Sequence, residues 1–122
     1  MNNKNMGVHV LIELFDCPKE KLEYLEVVKG IVLEIVNEAN LSKIGEGFHQ
    51  FSPTGVTGFI LLGESHLSVH TWPEHSSVAM DIFCCYLNKK NMEIAIQKAE
   101  KAAKLAIKKF RPKKFDKKVI IR

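Results

Sequence analysis

Two side chains near the middle of the chain have the types that proton transfer and nucleophilic attack require: His70 and Cys85. A neutral imidazole exchanges protons near pH 7, and a thiol becomes a nucleophile when a base lies beside it. A structural alternative stays open, because a cysteine in an apolar strand is usually a small buried hydrophobe. If their strands are adjacent, His70 and Cys85 form a candidate acid–base or nucleophilic pair.

Metal coordination is a weaker interpretation of the same region. His66 and His70 are four residues apart, a spacing that joins two ligands on a helix but separates them by about 13 Å along a strand. The three cysteines, Cys17, Cys84 and Cys85, include no Cys-x-x-Cys pair. We therefore predict no metal site and no disulfide framework, and we expect a reducing cytoplasmic setting.

The elements that must position these side chains follow from hydrophobic periodicity. Short segments with a period of two predict strands, and two longer segments with helical spacing predict helices. The predicted strands are Val8–Leu14, 43–51, 55–63, 66–72, 77–87 and a short edge strand at Val119–Ile121, and the predicted helices run from Pro18 to about Asn40 and from Asn91 to Phe110. The four central strands have connections too short for crossovers and should form an antiparallel meander. This order predicts an α+β fold, a two-layer sandwich with both helices on one face of the sheet.

The other face of that sheet carries the informative side chains. Alternation directs Leu67, Val69, Ile82 and Cys84 toward the helices. The opposite face then carries His66, His70, Trp72, Asp81, Phe83 and Cys85. A surface that mixes large aromatic and titratable groups is seldom left open to water. We predict that a second copy covers it, giving a face-to-face homodimer with a four-layer αββα arrangement.

Charge is distributed unevenly along the 122 residues, whose formal net charge is +4. Residues 1–88 carry 5 lysines and 11 acidic residues, whereas residues 89–122 carry 13 basic and 3 acidic residues. A basic segment can neutralise nucleic-acid phosphates, so a non-enzymatic binding protein is one alternative. The lysines lie off the apolar stripe of the predicted second helix, which favours a solvated helix face and no nucleic-acid partner. The apolar stretches are too short to span a membrane, and the first ten residues contain no signal-peptide apolar region.

One segment indicates the function far more specifically than any spacing between single residues. Residues 63–74, GESHLSVHTWPE, closely resemble the self-processing motif of the short bacterial and archaeal type of S-adenosylmethionine decarboxylase, a pyruvoyl enzyme. The resemblance extends over the whole chain as a single domain. It implies cleavage between Glu64 and Ser65 into a β chain, 1–64, and an α chain, 65–122. Ser65 would become a pyruvoyl group that forms a Schiff base with the substrate, so neither metal nor pyridoxal phosphate is expected.

The resemblance also implies a role for each matching residue. Ser65 attacks the Glu64 carbonyl to form an ester, and His70 transfers the proton during the elimination that follows. Cys85 matches the proton donor of the decarboxylation. Thr57 matches a position that assists processing, where relatives often carry serine. The residues that match substrate-binding positions are Phe51 and Trp72, which clamp adenine, with Phe51 expected from the partner subunit, and Glu74, which binds the ribose hydroxyls.

The implied activity is decarboxylation of S-adenosylmethionine to the aminopropyl donor of spermidine synthesis. A related enzyme branch uses the same pyruvoyl chemistry on arginine, so the motif determines the reaction more firmly than the substrate. The aromatic pair Phe51 and Trp72, together with Glu74, favours the nucleoside-bearing substrate.

Overall fold

Six strands and two α-helices make up the computed structural model, which describes residues 5–122. Residues 1–4, which belong to the segment where no signal peptide is predicted, lie outside the described residues. In chain order the elements are β1 (Gly7–Phe15), α1 (Leu25–Glu38), β2 (Lys43–Gln50), β3 (Val56–Leu62), β4 (Ser65–Trp72), β5 (Ser77–Cys85), α2 (Lys89–Phe110) and β6 (Lys114–Ile121), with single 3₁₀ turns at Lys19–Lys21 and Pro73–His75.

The strands form one sheet in the order β2-β3-β4-β5-β1-β6, and every neighbouring pair is antiparallel. The four central strands follow one another as a meander, because two- to five-residue connections leave no length for a crossover. Both helices bury their apolar faces in one core cluster with the sheet. The predicted two-layer α+β sandwich is therefore confirmed.

Strand alternation assigns the two faces of the sheet as predicted. Leu67 and Val69 on β4, and Ile82 and Cys84 on β5, are fully buried toward the helices. On α2 the buried stripe consists mainly of alanines, which let the helix lie close to the sheet. Its buried residues are Ala95, Ala99, Ala102, Ala103, Ala106 and Phe110.

Helix α1 begins at Leu25, seven residues later than predicted from Pro18. The reason is tertiary hydrogen bonding of the preceding carbonyls, since Leu22 O accepts from Thr71 Oγ1 and Glu23 O accepts from Gln50 Nε2 and Gly55 N. Gln50 Oε1 also accepts from Leu25 N at 2.6 Å. The first turn of α1 is therefore capped by a side chain of β2 and not by the residue that precedes the helix.

Strand β6 is longer than predicted, because it runs from Lys114 to Ile121 along the edge of β1. Every residue of β6 is exposed, so its sequence carries no burial pattern that would reveal the first half. Charged side chains are the usual composition of an edge strand that must not pair further.

The lysines of α2 are partly engaged in ion pairs. Lys98 Nζ lies 2.8 Å from Glu64 Oε2, and Lys109 Nζ lies 3.0 Å from Glu34 and 2.9 Å from Glu38 on α1. These pairs bind the basic helix to the acidic part of the same chain. Neither helix within residues 5–122 is sufficiently long and apolar to cross a bilayer.

Candidate active site

The Glu64–Ser65 peptide bond lies at the tight turn between β3 and β4. Ser65 has a φ of 152°, a region that is essentially reserved for glycine and costs other residues about 1–3 kcal/mol. The Glu64 carbonyl oxygen accepts a hydrogen bond from Cys85 N at 2.8 Å. The backbone on the Ser65 side of this bond is therefore strained, and the Glu64 carbonyl on the other side is polarised. A polarised carbonyl carbon is more readily attacked by a nucleophile.

The Glu64 side chain is fixed from two directions. Oε1 accepts from Ser42 N at 2.9 Å, and Oε2 accepts from Lys98 Nζ at 2.8 Å. Although burial alone would raise the pKa of Glu64, the hydrogen bonds from Lys98 and Ser42 lower it. The residue before the candidate scissile bond is thus an anchored carboxylate, a role for Lys98 that the charge pattern alone did not reveal.

The adjacent cysteines have opposite environments. Cys84 is fully buried in the core, and burial together with the charge of Glu64 raises the pKa of its thiol to about 12. Cys85 is exposed on the outer face, and its backbone contacts the Glu64 carbonyl. The prediction that Cys84 points into the core is confirmed, and Cys85 lies at the Ser65 end of the sheet.

A cluster of polar side chains surrounds Asp81 next to Ser65. His66 Nε2 lies 3.0 Å and His9 Nε2 lies 2.6 Å from Asp81 Oδ2, and Ser68 Oγ donates to Oδ1. Burial would raise the pKa of Asp81, but the hydrogen bonds from Ser68, His9 and His66 lower it. Within residues 5–122, the side chains that could together hold a metal ion are His9, His66 and Asp81. Their potential ligand atoms all lie within 4.8 Å of one another. The sequence placed His66 with His70, His75 and the cysteines as possible ligands and gave no sign of His9, which joins His66 and Asp81 only through the pairing of β1 with β5.

A cavity of about 530 Å³ occupies the other end of β4. Its size is typical of small-molecule sites. Thr57 Oγ1 and His70 Nδ1 lie 3.1 Å apart in it, and the His70 and Trp72 rings stack at 6.1 Å. The cavity is lined by Phe51, Ser52, Pro53, Thr54, Gly55, Thr57, His70, Thr71, Trp72 and Glu74.

The structure thus divides the predicted site residues into two groups within one chain. Glu64, Ser65 and Cys85 form the turn group, and Phe51, Thr57, His70, Trp72 and Glu74 form the cavity group. His70 lies five residues beyond Ser65 on the same strand, which corresponds to about 16 Å.

One expectation is corrected by this division. His70 and Cys85 lie on adjacent strands, but His70 pairs with Ala79 rather than with Cys85, so strand register separates them within one chain. Phe51 and Trp72 line one cavity of a single chain, and the contribution of Phe51 from the partner subunit stays a prediction. The short β2–β3 loop brings Phe51 to that cavity, where Phe51 N donates to Gly55 O.

Comparison with known proteins gives a consistent result. A family model described as S-adenosylmethionine decarboxylase matches residues 8–122. The chain is 42% identical over 116 residues to an S-adenosylmethionine decarboxylase proenzyme of Sulfurihydrogenibium, covering 95% of this chain and 81% of that protein. It is 43% identical over 110 residues to a proenzyme of the same name from Archaeoglobus fulgidus, covering 90% and 91%. The crystal structure of the adenosylmethionine decarboxylase from Aquifex aeolicus superposes with a TM-score of 0.86 at 35% identity, over 98% of this chain and 92% of that one.

Proposed function

Because the chain belongs to the S-adenosylmethionine decarboxylase family, we propose that it is a precursor that cleaves itself between Glu64 and Ser65 and then decarboxylates S-adenosylmethionine. The product is the aminopropyl donor for polyamine synthesis. One observation carries the proposal: the backbone of Ser65 is strained at φ 152° while the neighbouring Glu64 carbonyl accepts the Cys85 N–H.

Self-cleavage begins with a shift of the acyl group from nitrogen to oxygen. Ser65 Oγ attacks the Glu64 carbonyl carbon, the oxyanion is stabilised by Cys85 N–H, and the C–N bond breaks to leave an ester and a free Ser65 amine. An ester is normally less stable than an amide, so the strain at Ser65 helps the reaction by destabilising the starting state. The ester then needs a base to continue.

Elimination of the ester makes the prosthetic group. A base removes the Cα proton of Ser65, the Glu64 carboxylate leaves from Cβ, and addition of water to the resulting dehydroalanine releases ammonia and leaves a ketone. The chain then consists of a β chain, 1–64, and an α chain, 65–122. A pyruvoyl group supplies the carbonyl that holds a substrate amine and accepts electrons when carbon dioxide departs. No added metal or pyridoxal phosphate is part of this proposal.

Cys85 is the proposed proton donor at the substrate carbon. Its exposure on the outer face and its contact with the Glu64 carbonyl support this role. Cys84 cannot replace it, because its side chain is buried on the opposite face of β5.

The substrate interpretation depends on the cavity group. Phe51 and Trp72 offer two aromatic side chains for an adenine, and the Glu74 carboxylate can accept hydrogen bonds from ribose hydroxyls. Arginine, the alternative substrate, has no flat aromatic base that these rings would clamp. The cavity therefore favours S-adenosylmethionine.

A homodimer resolves the separation of the two groups. We propose that two sheets pack face to face about a two-fold axis, so that the turn group of each chain meets the cavity group of its partner. The outer face supports this, since Phe51, Phe59, Leu61 and Trp72 are 42–50% exposed there. His70 and Thr57 would then reach the partner's Ser65.

A cytoplasmic location is proposed from cysteine chemistry. The three cysteines are free, and a catalytic thiol such as Cys85 needs a reducing compartment to remain reduced.

Intact mass of the denatured protein tests the central step. We expect two chains, 1–64 and 65–122, with a pyruvoyl group in place of Ser65, and carbon dioxide release from S-adenosylmethionine but not from arginine. A single chain with the mass of the full sequence would contradict self-cleavage. Carbon dioxide release from arginine alone would contradict the substrate while leaving the chemistry intact.

A further inference from the structure

His66, rather than His70, is the imidazole next to Ser65 within one chain. Ser65 Oγ and His66 Nδ1 lie 3.4 Å apart, whereas His70 is about 16 Å away along the strand. We propose that His66 is the base that takes the Ser65 hydroxyl proton in the first step of self-cleavage. This inference rests on the proposed function and assigns a catalytic residue to its acyl shift.

Asp81 holds His66 in the orientation that this role requires. His66 Nε2 lies 3.0 Å from Asp81 Oδ2, and Ser68 Oγ donates to Oδ1 of the same carboxylate. An anionic partner at Nε2 retains the imidazole proton there, so the lone pair of Nδ1 is directed to Ser65. Nucleophile, base and orienting carboxylate thus occur in the order that activates serine in hydrolases on unrelated folds.

The surroundings keep Asp81 and His66 in place. From β1, His9 Nε2 also lies within 2.6 Å of Asp81 Oδ2, and Arg122 contacts His9 Nδ1 at 3.2 Å. The Phe83 ring packs against both His9 and His66, with ring centres 5.3 and 6.1 Å away. The titratable and charged groups that surround His66 are Asp81, His9 and Arg122. Asp81 is a positioning residue, because it acts on Ser65 only through His66.

The proton balance of the step is closed within this group. His66 Nδ1 accepts the proton from Ser65 Oγ as the oxygen bonds to the Glu64 carbon. The C–N bond then breaks, and the imidazolium returns the same proton to the departing nitrogen of Ser65. The products are the ester and a neutral amine, and His66 is neutral again. His70 of the partner chain is left to act in the elimination.

The two histidines can be separated because hydroxylamine cleaves esters but not amides. In a His70→Ala background the acyl shift proceeds and the ester accumulates, so hydroxylamine should release two chains. In His66→Ala/His70→Ala the initial rate of that release should fall by about 100-fold, the lower end of general base effects. The matched control is His75→Ala/His70→Ala, because His75 is an exposed histidine outside both groups; it should behave as His70→Ala.

Chemical rescue distinguishes a base from a structural side chain. Added imidazole should restore part of the rate to folded His66→Ala, which lost packing would not explain. Asp81→Asn should slow ester formation about 10-fold, as loss of a group that orients a catalytic ligand does, and Asp81→Glu should recover part of it. If His66→Ala does not fold, His66→Gln provides the same comparison with a side chain of similar length.

The outcomes separate this inference from the proposed function. Release from the double His66→Ala/His70→Ala variant at the His70→Ala rate would overturn the role of His66 alone. Ester accumulation in His66→Ala alone would also overturn it, because His66 would then act after the shift. Loss of cleavage on chelation, with recovery on adding Zn²⁺, would overturn it in favour of a metal held by His9, His66 and Asp81. A parent chain that never cleaves would instead contradict the proposed function.

Discussion

At the scale of single residues, Ser65 combines a reactive hydroxyl with a backbone conformation that suits glycine. Its φ of 152° places backbone strain directly at the candidate scissile bond. The twelve-residue motif predicts that Ser65 is the serine that is modified. The strain could not be predicted from it, because φ depends on the register of β4 against β3 and β5.

Two substitutions at Ser65 separate its chemistry from its strain. Ser65→Ala and Ser65→Gly should both remain uncleaved, because each removes the hydroxyl. Ser65→Gly should nevertheless have the higher free energy of unfolding, by about 1 kcal/mol, since relief of strain exceeds the extra backbone entropy of glycine. Urea unfolding of the two variants measures the difference. A Ser65→Gly protein that is less stable than Ser65→Ala by about 0.5–1 kcal/mol, the ordinary entropic cost of glycine, would show that Ser65 is unstrained. Two fragments from either variant would remove Ser65 as the nucleophile.

Cys85→Ala tests the proton donor. Processing should survive at least in part, while decarboxylation slows by about 100-fold or more. Without its donor the substrate carbon loses its proton source, and protonation at the prosthetic group converts the ketone to an amine. The mass of the 65–122 chain during turnover detects this change. Cys17→Ala, which removes a buried thiol beyond the opposite end of β1, is the control, and parental turnover by Cys85→Ala would make Cys85 a purely structural residue.

At the scale of elements, alternation predicted most of the fold. The buried faces of β1, β4 and β5 follow their sequences, because a one-residue shift of register would expose every apolar side chain. The start of α1 and the first half of β6 could not be predicted. Gln50 determines the helix start from a distant strand, and fully exposed β6 has no apolar face to recognise.

Gln50 links α1 to the loop that carries Phe51. Its side chain contacts Leu25 N, Glu23 O, Phe51 O and Gly55 O. We expect Gln50→Ala to lower the free energy of unfolding by about 2 kcal/mol, since each bond contributes about 0.5–1.5 kcal/mol and some groups regain water. The KM for S-adenosylmethionine should rise with kcat little changed, because Phe51 loses its anchor.

Thermal or urea unfolding and steady-state kinetics check the Gln50→Ala prediction. Gln97→Ala on the exposed face of α2 is the matched control, with an expected stability change within about 0.5 kcal/mol. A Gln50→Ala protein as stable as that control would show that the loop does not depend on this side chain.

At the scale of the whole molecule, the proposed homodimer joins the turn group of one chain to the cavity group of its partner. The sequence predicted an outer face that a partner covers, because titratable and aromatic residues alternate out of the core. It assigned Phe51 to the partner subunit but did not predict that His70 lies far from Ser65 within one chain. Strand register determines this separation, because it places His70 opposite Ala79 while Cys85 N contacts the Glu64 carbonyl at the far end of the sheet.

Mixed dimers test this most directly. A Ser65→Ala chain and a His70→Ala chain, each with its own affinity tag, are co-expressed, and the dimer that carries both tags is isolated. Each variant alone should give no mature two-chain enzyme. In the mixed dimer one site contains both substitutions and the other contains neither, so one site should mature and about half of the parental activity per dimer should return.

The mass of each tagged chain in that mixed dimer is the deciding measurement. We predict that only the His70→Ala chain is cleaved and carries a pyruvoyl group, because its own Ser65 meets the intact His70 of the Ser65→Ala partner. A mixed dimer in which neither chain matures would contradict the account, since it would mean that Ser65 and His70 must act within one chain.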